Sequence, residues 1–289
     1  MKAPVFSKLP RVLPSVDAVR EAVRAAQSAG QTVGFVPTMG ALHEGHLSLV
    51  DAARAECDLT VVSIFVNPTQ FGPKEDLSRY PRDLGKDLRL SGERGCDLVF
   101  APSVEEMYPT GFVTSVDVGP LGRELEGEYR PDHFRGVATV VLKLFQIAPA
   151  DVAYFGRKDY QQSLVVRQMV ADLNVPIEIR VCPTVREPDG LALSSRNAYL
   201  SADERRRALA LSQCLQLAER LAGEGVRDVK RIREKMQEHL RAVGGVEVQY
   251  IAFVADGTVT PVTSLDRPTT VAIAAVVGKT RLIDNVLLA

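Results

Sequence analysis

Residues 59–66, LTVVSIFV, restrict the possible fold more than any other stretch of the chain. Nearly all of them are β-branched or aromatic, and polar residues do not alternate with apolar ones. That pattern belongs to a strand covered on both faces, as in the interior of a parallel sheet. Parallel strands need long crossovers, usually helices, and the flanking sequence supplies them. Val16 to Ala29 carries Val16, Val19, Val23 and Ala26 at helical spacing, with Ser15 placed to cap and Gly30 to stop it. Thr32 to Val36 is a short buried strand. Leu47 to Ala55 is helical, as is Leu84 to Arg94, which Gly95 closes, and Asp97 to Ala101 returns to strand. This order indicates βαβ units. The pattern continues with a helix over Gly136 to Ile147 stopped by Pro149, a strand over Asp151 to Phe155, a helix over Tyr160 to Leu173, and a strand over Ile177 to Val181.

After Pro183 and the turn Glu187-Pro188-Asp189-Gly190 the texture changes. Ser201 and Glu204 form a capping box that opens a helix reaching Ala222. A second helix runs from Val229 to Val243. Three strand-like segments follow, Val246 to Val254, Thr269 to Val277 and Lys279 to Leu287. The expected architecture is α/β: an N-terminal domain over residues 1–185 with a parallel sheet, and a smaller α+β domain over 186–289.

Composition removes several classes of function. The 289 residues are 46% hydrophobic and 25% charged, which excludes a disordered, collagen-like or disulfide-scaffold chain. Lys and Arg number 35 against 36 Asp and Glu, so no nucleic-acid partner is expected. The longest apolar run, Val271 to Val277, falls far short of the ~20 residues of a membrane helix. Met1 to Pro14, with Lys2, Lys8 and Arg11, contains no apolar h-region, so no signal peptide is expected there. Cys57, Cys96, Cys182 and Cys214 form no C-x-x-C pair and are expected to be reduced thiols of a cytoplasmic protein.

The chemistry-bearing residues gather in loops that follow the expected strands. Pro37-Thr38-Met39-Gly40-Ala41-Leu42-His43-Glu44-Gly45-His46 joins the first strong strand to a helix. Ligands of open α/β sheets bind at strand carboxyl ends, and helix N-termini attract phosphate. Gly40 and Gly45 permit close backbone approach. His43 and His46, three apart, would share one face of a first helical turn and stabilise charge on phosphate. A metal pair or two structural histidines are the competing readings. Asn67 and Gln70, in Asn67-Pro-Thr-Gln70, suit a small hydroxylated or carboxylated ligand, or equally a local turn cap. Gly72 to Arg82, with Lys74, Glu75, Asp76, Arg79 and Tyr80, reads as a polar loop that would serve as a lid. Asp83 and Asp87 lie four apart on the next helix, near a metal ion or on a solvated surface.

Gly156-Arg157-Lys158-Asp159 follows a later strand. Lys158 suits phosphate, Asp159 a ribose hydroxyl or the lysine, and Gln162 lies one turn beyond. A surface ion pair is the alternative. Leu193-Ser194-Ser195-Arg196-Asn197 places two hydroxyls beside a guanidinium, as a phosphate clamp or a polar loop. Arg130 and His133 sit in an aromatic and basic loop, suited equally to ligand contact or loop packing. There is neither a Walker A motif nor G-x-G-x-x-G.

PTMGALHEGH, SIFVNPTQF, FGRKDYQQ and LSSRN, in this order and spacing, resemble the pantothenate synthetase family, the pantoate–β-alanine ligases. His43 to His46 is similar to the HIGH signature of the nucleotidyltransferase superfamily, and Ser194 to Arg196 to its KMSKS loop. The resemblance implies a Rossmann-like N-terminal domain, a C-terminal domain that acts as lid, and a homodimer. It implies that ATP and pantoate form pantoyl-adenylate and pyrophosphate, and that β-alanine then displaces AMP. Pro37 to His46, Gly156 to Asp159, Val185 and Leu193 to Arg196 would bind ATP, with His43, His46 and Lys158 on the phosphates. Gln70 and Gln162 would grip pantoate, supported by Asn67 and Arg130. Asp87 matches the Mg²⁺-linked acidic position, next to Lys86 where some members carry a second Asp. The competing functions are an adenylyltransferase acting on a phosphate-bearing acceptor, disfavoured by the uncharged Asn67, Gln70 and Gln162, and a non-catalytic nucleotide- or RNA-binding module.

Overall fold

A computed structural model describes residues 9–73 and 75–288. The expectations that involve Lys2, Lys8 and Lys74 lie outside the described residues. The chain divides into two compact units, one of residues 1–123, 127–156 and 165–182, the other of residues 124–126, 157–164 and 183–289.

The first unit is a six-stranded, wholly parallel sheet with helices on both faces. Its strands are β1 (Arg11–Leu13), β2 (Val33–Thr38), β3 (Leu59–Ile64), β4 (Leu98–Phe100), β5 (Val152–Gly156) and β6 (Glu178–Cys182), in the order β1-β4-β3-β2-β5-β6. The helices are α1 (Val16–Ser28), α2 (Glu44–Glu56), α3 (Leu84–Glu93), the single turns α4 (Val104–Met107) and α5 (Glu126–Tyr129), α6 (His133–Ile147) and α7 (Tyr160–Asp172). Helices α5 and α7 each contain residues of both units.

Strand alternation explains the two covering layers. Phe35, Val61, Phe100 and Ala153 point to a core shared with α1 and α6, through Val19, Val23, Val137 and Leu144. The neighbouring residues along the strands, Val36, Val62, Val99 and Tyr154, pack on the other side against Leu49, Val50 and Ala53 of α2. The sheet is therefore dry on both faces, as the LTVVSIFV run requires.

Strand order reverses between β2 and β5. From β2 the chain winds outward through β3 and β4, then returns to place β5 on the opposite side. The carboxyl ends of β2 and β5 flank the topological switch point, where ligands bind in open α/β sheets. Both ends lead directly into candidate site residues: Thr38 into the 39–43 loop, and Gly156 into a 3-10 turn over Arg157–Asp159.

The second unit stacks α8 (Ala202–Gly223) and α9 (Val229–Val243) on an antiparallel sheet of β7 (Val246–Ala255), β8 (Thr269–Val277) and β9 (Thr280–Leu288), ordered β7-β8-β9. Leu211, Leu215, Ile232 and Met236 pack against Phe253, Val271 and Ile273. The capping box forms: Ser201 accepts from the Glu204 amide and Glu204 accepts from the Ser201 amide. Glu126 joins this unit through a paired buried charge. Its carboxylate receives both guanidinium ends of Arg281, at 2.6 and 2.7 Å, and the Tyr250 hydroxyl at 2.7 Å.

Several elements differ from the sequence expectation: β3 stops at Ile64, short of Val66, and the single turns α4 and α5 are not predicted from the sequence. Strand β1 has three residues with only Leu13 buried, too short to show a period. Helix α2 begins at Glu44, three residues before Leu47, because His43 caps it. Helix α6 begins at His133 rather than Gly136. All four cysteines are free thiols. Burial pushes Cys96 and Cys214 up to about 12, so both stay protonated and unreactive at neutral pH. Among the described residues no helix is long and apolar enough to cross a membrane.

Candidate active site

The 39–43 loop begins where β2 ends. The Thr38 hydroxyl donates to the Ser63 carbonyl at 2.7 Å and accepts from the Gly40 amide at 3.1 Å, turning the chain at once. Two successive residues then adopt left-handed backbone, Gly40 at φ 76° and Ala41 at φ 50°. A Cβ on Gly40 would lie 2.9 Å from Asp87 Oδ2 and 3.0 Å from Ile64 Cγ2, so space as well as φ demands glycine. Ala41 has no such licence, because left-handed backbone is costly for a residue with a Cβ. Asp87, from the first turns of α3, stands against it. Its Oδ2 accepts from the Ala41 amide at 3.0 Å and its Oδ1 from the Leu42 amide at 2.8 Å. Only 1% of Asp87 is exposed. Burial raises its pKa, and the Leu42 and Ala41 amide bonds oppose that rise without cancelling it.

His43 is not in the first helical turn. Its backbone is extended, at φ −140° and ψ 175°, and it is the N-cap of α2. Its Nδ1 accepts from the Gly45 amide at 3.1 Å, so the ring proton of the neutral form resides on Nε2. His46 follows in the first turn, and the two rings lie with centroids 4.1 Å apart and planes tilted by 35°. The pair thus meets through a cap and a turn, not through the shared helical face that the spacing implied. Both rings are half-buried.

At the end of β3, Asn67 is 1% exposed and occupied on every side. Its Oδ1 accepts from the Thr69 amide and hydroxyl and, at 2.8 Å, from the Tyr108 hydroxyl. Its Nδ2 donates to Gln70 Oε1 at 3.0 Å and to the Gly136 carbonyl at 3.2 Å. Asn67 therefore caps the 3-10 turn over Pro68–Gln70 and holds the Gln70 side chain. Gln70 Nε2 contacts Met39 Sδ at 3.2 Å, which ties the turn to the 39–43 loop.

Arg130 and His133 fasten the same turn from behind. Arg130 grips Glu75 through Nε and Nη2, at 3.0 and 2.6 Å, and reaches the Gln70 carbonyl. Its Nη1 lies 3.1 Å from His133 Nε2. A guanidinium only donates, so His133 Nε2 is an acceptor and Nδ1 carries the proton. His133 Nδ1–H donates to the Gln70 carbonyl, with Nδ1 3.0 Å from the oxygen. Sequence reasoning named Arg130 and left His133 open, but it missed Tyr108, Gly136 and the role of Glu75. Their partners lie dozens of residues away, beyond the reach of local pattern.

In the second unit the 157–159 turn is held from several sides. Arg157 donates to Asp256 at 2.7 Å and to the Thr270 hydroxyl at 3.1 Å. Asn285 donates to the Arg157 and Lys158 carbonyls at 2.9 and 3.0 Å. With its carbonyl anchored, Lys158 keeps its ammonium 3.7 Å from Asp159, a loose pairing. Gln162 is half-buried on the first turn of α7, while its neighbour Gln161 is spent on the Glu124 carbonyl and the Glu126 amide. Val185 and Leu193 come together in a small hairpin, through the Leu193 amide on the Val185 carbonyl at 3.0 Å. That hairpin delivers Ser194, whose hydroxyl accepts from the Arg196 amide at the start of the 3-10 turn Ser195–Tyr199.

No group of three His, Cys, Asp or Glu side chains among the described residues is placed to hold a metal ion. Asp83 is the N-cap of α3, accepting from the Lys86 amide at 2.9 Å. Both oxygens of Asp87 are engaged by backbone amides. With Asp87 only 1% exposed and no cluster of further carboxylates beside it among the described residues, this donor set does not fit a protein-built site for a hydrated magnesium ion.

The comparisons with known proteins bear on what this arrangement serves. The profile of the pantoate-beta-alanine ligase family matches residues 11–287. The chain belongs to the pantoate–β-alanine ligase family. It is 53% identical over 278 residues to the pantothenate synthetase of Thermotoga neapolitana, covering 96% of this chain and 99% of that relative. It is 53% identical over 279 residues to pantothenate synthetase 1 of Bradyrhizobium diazoefficiens, covering 96% of this chain and 98% of that relative. The crystal structure of the pantothenate synthetase of Thermus thermophilus superposes with a TM-score of 0.91 at 49% identity, over 96% of this chain and 98% of that one. A pantoate-beta-alanine ligase from Francisella tularensis, complexed with beta-gamma ATP and beta-alanine, superposes with a TM-score of 0.80 at 35% identity, over 96% of this chain and 97% of that one. The enzyme is an ATP-dependent ligase that joins pantoate to β-alanine to make pantothenate.

Proposed function

We propose that the ligase works in two half-reactions on the residues described above. In the first, a pantoate carboxylate oxygen attacks the α-phosphorus of ATP. The bond from that phosphorus to the bridging oxygen breaks, and pyrophosphate leaves with the electron pair. In the second, the amine of β-alanine attacks the acyl carbon of pantoyl-adenylate, loses a proton, and expels AMP.

The observation that carries this reading is the loop between β2 and α2. Its backbone is locked in a left-handed turn, and it ends on two adjacent imidazoles at a helix N-terminus. A carboxylate approaching a polyanion needs fixed positive or hydrogen-bonding groups to offset repulsion and stabilise the pentavalent phosphorus. His43 Nε2 and His46 serve there, with Lys158 as the mobile cation. Pro37 to Leu42, Glu44, Gly45, Gly156, Arg157, Asp159, Val185, Leu193, Ser194, Ser195 and Arg196 complete nucleotide binding. Gln70 and Gln162 hold pantoate by neutral hydrogen bonds, which suits a substrate with one charge and two hydroxyls. Asn67 and Arg130 act through Gln70: one holds its side chain and the other its carbonyl and Glu75.

A magnesium ion, where bound, would come with ATP and offset the charge of its triphosphate, and no residue of this chain is assigned to hold it. The division into residues 1–185 and 186–289 and the cytoplasmic location rest on the sequence pattern, and the homodimer on the family resemblance. In single-turnover experiments without β-alanine, His46→Ala and Lys158→Ala are expected each to lower the adenylation rate by about 10²–10³. A loss under about threefold on folded protein would remove that residue from the mechanism.

A further inference from the structure

We propose that Asp87 is the anionic staple that holds the 39–43 loop in its working shape, and not a magnesium ligand. The inference rests on the reading that this loop meets the phosphates of ATP.

Three observations converge on it. Each Asp87 oxygen already accepts a backbone amide, from Ala41 and Leu42, at 3.0 and 2.8 Å. The two amides are consecutive and belong to the part of the loop that passes through left-handed backbone, including a residue with a Cβ, Ala41 at φ 50°. Such a conformation persists only where its surroundings over-determine it. Gly40 is packed so closely that an added Cβ would lie 2.9 Å from Asp87 Oδ2. Carboxylate and loop therefore have one mutual placement. A carboxylate is the only side chain that offers two equivalent acceptors to two adjacent N–H groups at this length. Its place in the first turn of α3 puts it at the positive end of the helix dipole, which offsets part of the cost of burying a carboxylate there. Asp87 is only 1% exposed, so drawing it onto a hydrated cation would shift the carboxylate away from the Ala41 and Leu42 amides and release the turn they hold.

The test compares Asp87→Asn with wild type. Asparagine keeps the size, satisfies one amide and turns an NH₂ group on the other. The staple predicts faster hydrogen exchange at the Ala41 and Leu42 amides. It predicts an adenylation rate lower by about 10²-fold, the scale of a 1 Å misplacement. It also predicts a half-maximal Mg²⁺ concentration within about threefold of wild type. Ala41→Gly in the Asp87→Asn background removes the left-handed penalty and should recover several-fold of the rate. A metal ligand predicts the reverse: a half-maximal Mg²⁺ concentration raised by about tenfold or more, unchanged exchange at both amides, and no recovery with glycine. That result would overturn the proposal.

If the asparagine variant does not fold, wild-type exchange decides. The staple keeps both amides protected in EDTA and equally protected with Mg²⁺ and a non-hydrolysable ATP analogue. Loss of protection when Mg²⁺ and the analogue bind would overturn the proposal. Failure of the underlying reading looks different: His46→Ala would adenylate normally while exchange at Ala41 and Leu42 still responded to Asp87→Asn.

Discussion

Gly136→Ala adds one methyl group, and the structure says what that group meets. The new Cβ would lie 2.4 Å from the Thr69 carbonyl oxygen, 2.6 Å from its carbon and 2.7 Å from Gln70 Cα. Carbon atoms in good contact sit about 3.5–4.0 Å apart, so α6 and the Pro68–Gln70 turn must separate by roughly 1 Å. All three obstructing atoms are backbone, so no rotamer change relieves the clash. The separation also pulls the Gly136 carbonyl from Asn67 Nδ2 at 3.2 Å, and Asn67 is what holds Gln70. A 1 Å displacement of a positioning group costs about 10²-fold in rate, and overpacking costs about 1–3 kcal/mol in stability. Single-turnover adenylation at varied pantoate should therefore show the rate down by about two orders of magnitude and the pantoate requirement raised, with ATP affinity little changed. Gly223→Ala is the control: it has nothing within 4 Å of the new methyl and should leave the kinetics alone. Folded Gly136→Ala protein with rates within about threefold of wild type would refute the claim that this turn positions pantoate.

Two further outcomes concern charge. Burial raises the Glu75 pKa, but the hydrogen bond and charge of Arg130 and the Gly72 amide outweigh it and leave the carboxyl lowered. The folded state therefore binds the Glu75 proton more weakly than the unfolded chain. The pair contributes stability above the unfolded value, about 4.3, and loses it as pH falls through the lower folded value. In urea unfolding, wild type should exceed Glu75→Gln at neutral pH and converge with it in acid; a constant difference across that range would contradict the assignment. Arg281→Met should cost about 3–5 kcal/mol in chemical denaturation, because it leaves the Glu126 carboxylate buried without its bidentate cation. A cost below about 1 kcal/mol, the range of exposed pairs, would show that Glu126 is well solvated.

The fold was legible where burial writes itself into local sequence. LTVVSIFV, TVGFV and the capping box at Ser201 each carry their structure within a few residues, because β-branched packing and cap geometry are short-range. Strand β1 escaped because three residues define no period. The start of α2 escaped because histidine is an unusual N-cap, and only the Gly45 amide on His43 Nδ1 reveals it. At the candidate site, residue types and their place after strands were readable, since parallel topology brings strand carboxyl ends to one edge. What was not readable is how those residues are held. The Asp87 carboxylate reaches the Ala41 and Leu42 amides from a helix far along the chain, and Gly136 meets the Gln70 turn from a different helix. Nothing in the spacing of either segment announces such a contact. The same long-range view turns Asn67 from a ligand candidate into the residue that holds Gln70.

The central claim is a reversible acyl-adenylate step on this chain, and pyrophosphate exchange tests it most directly. The protein is mixed with ATP, Mg²⁺ and labelled pyrophosphate, with and without pantoate, and β-alanine is omitted. The account predicts that label enters ATP only when pantoate is present, and that His46→Ala suppresses the exchange. No exchange with pantoate, while AMP still forms once β-alanine is added, would contradict it and point to a step in which the amine takes part before pyrophosphate leaves.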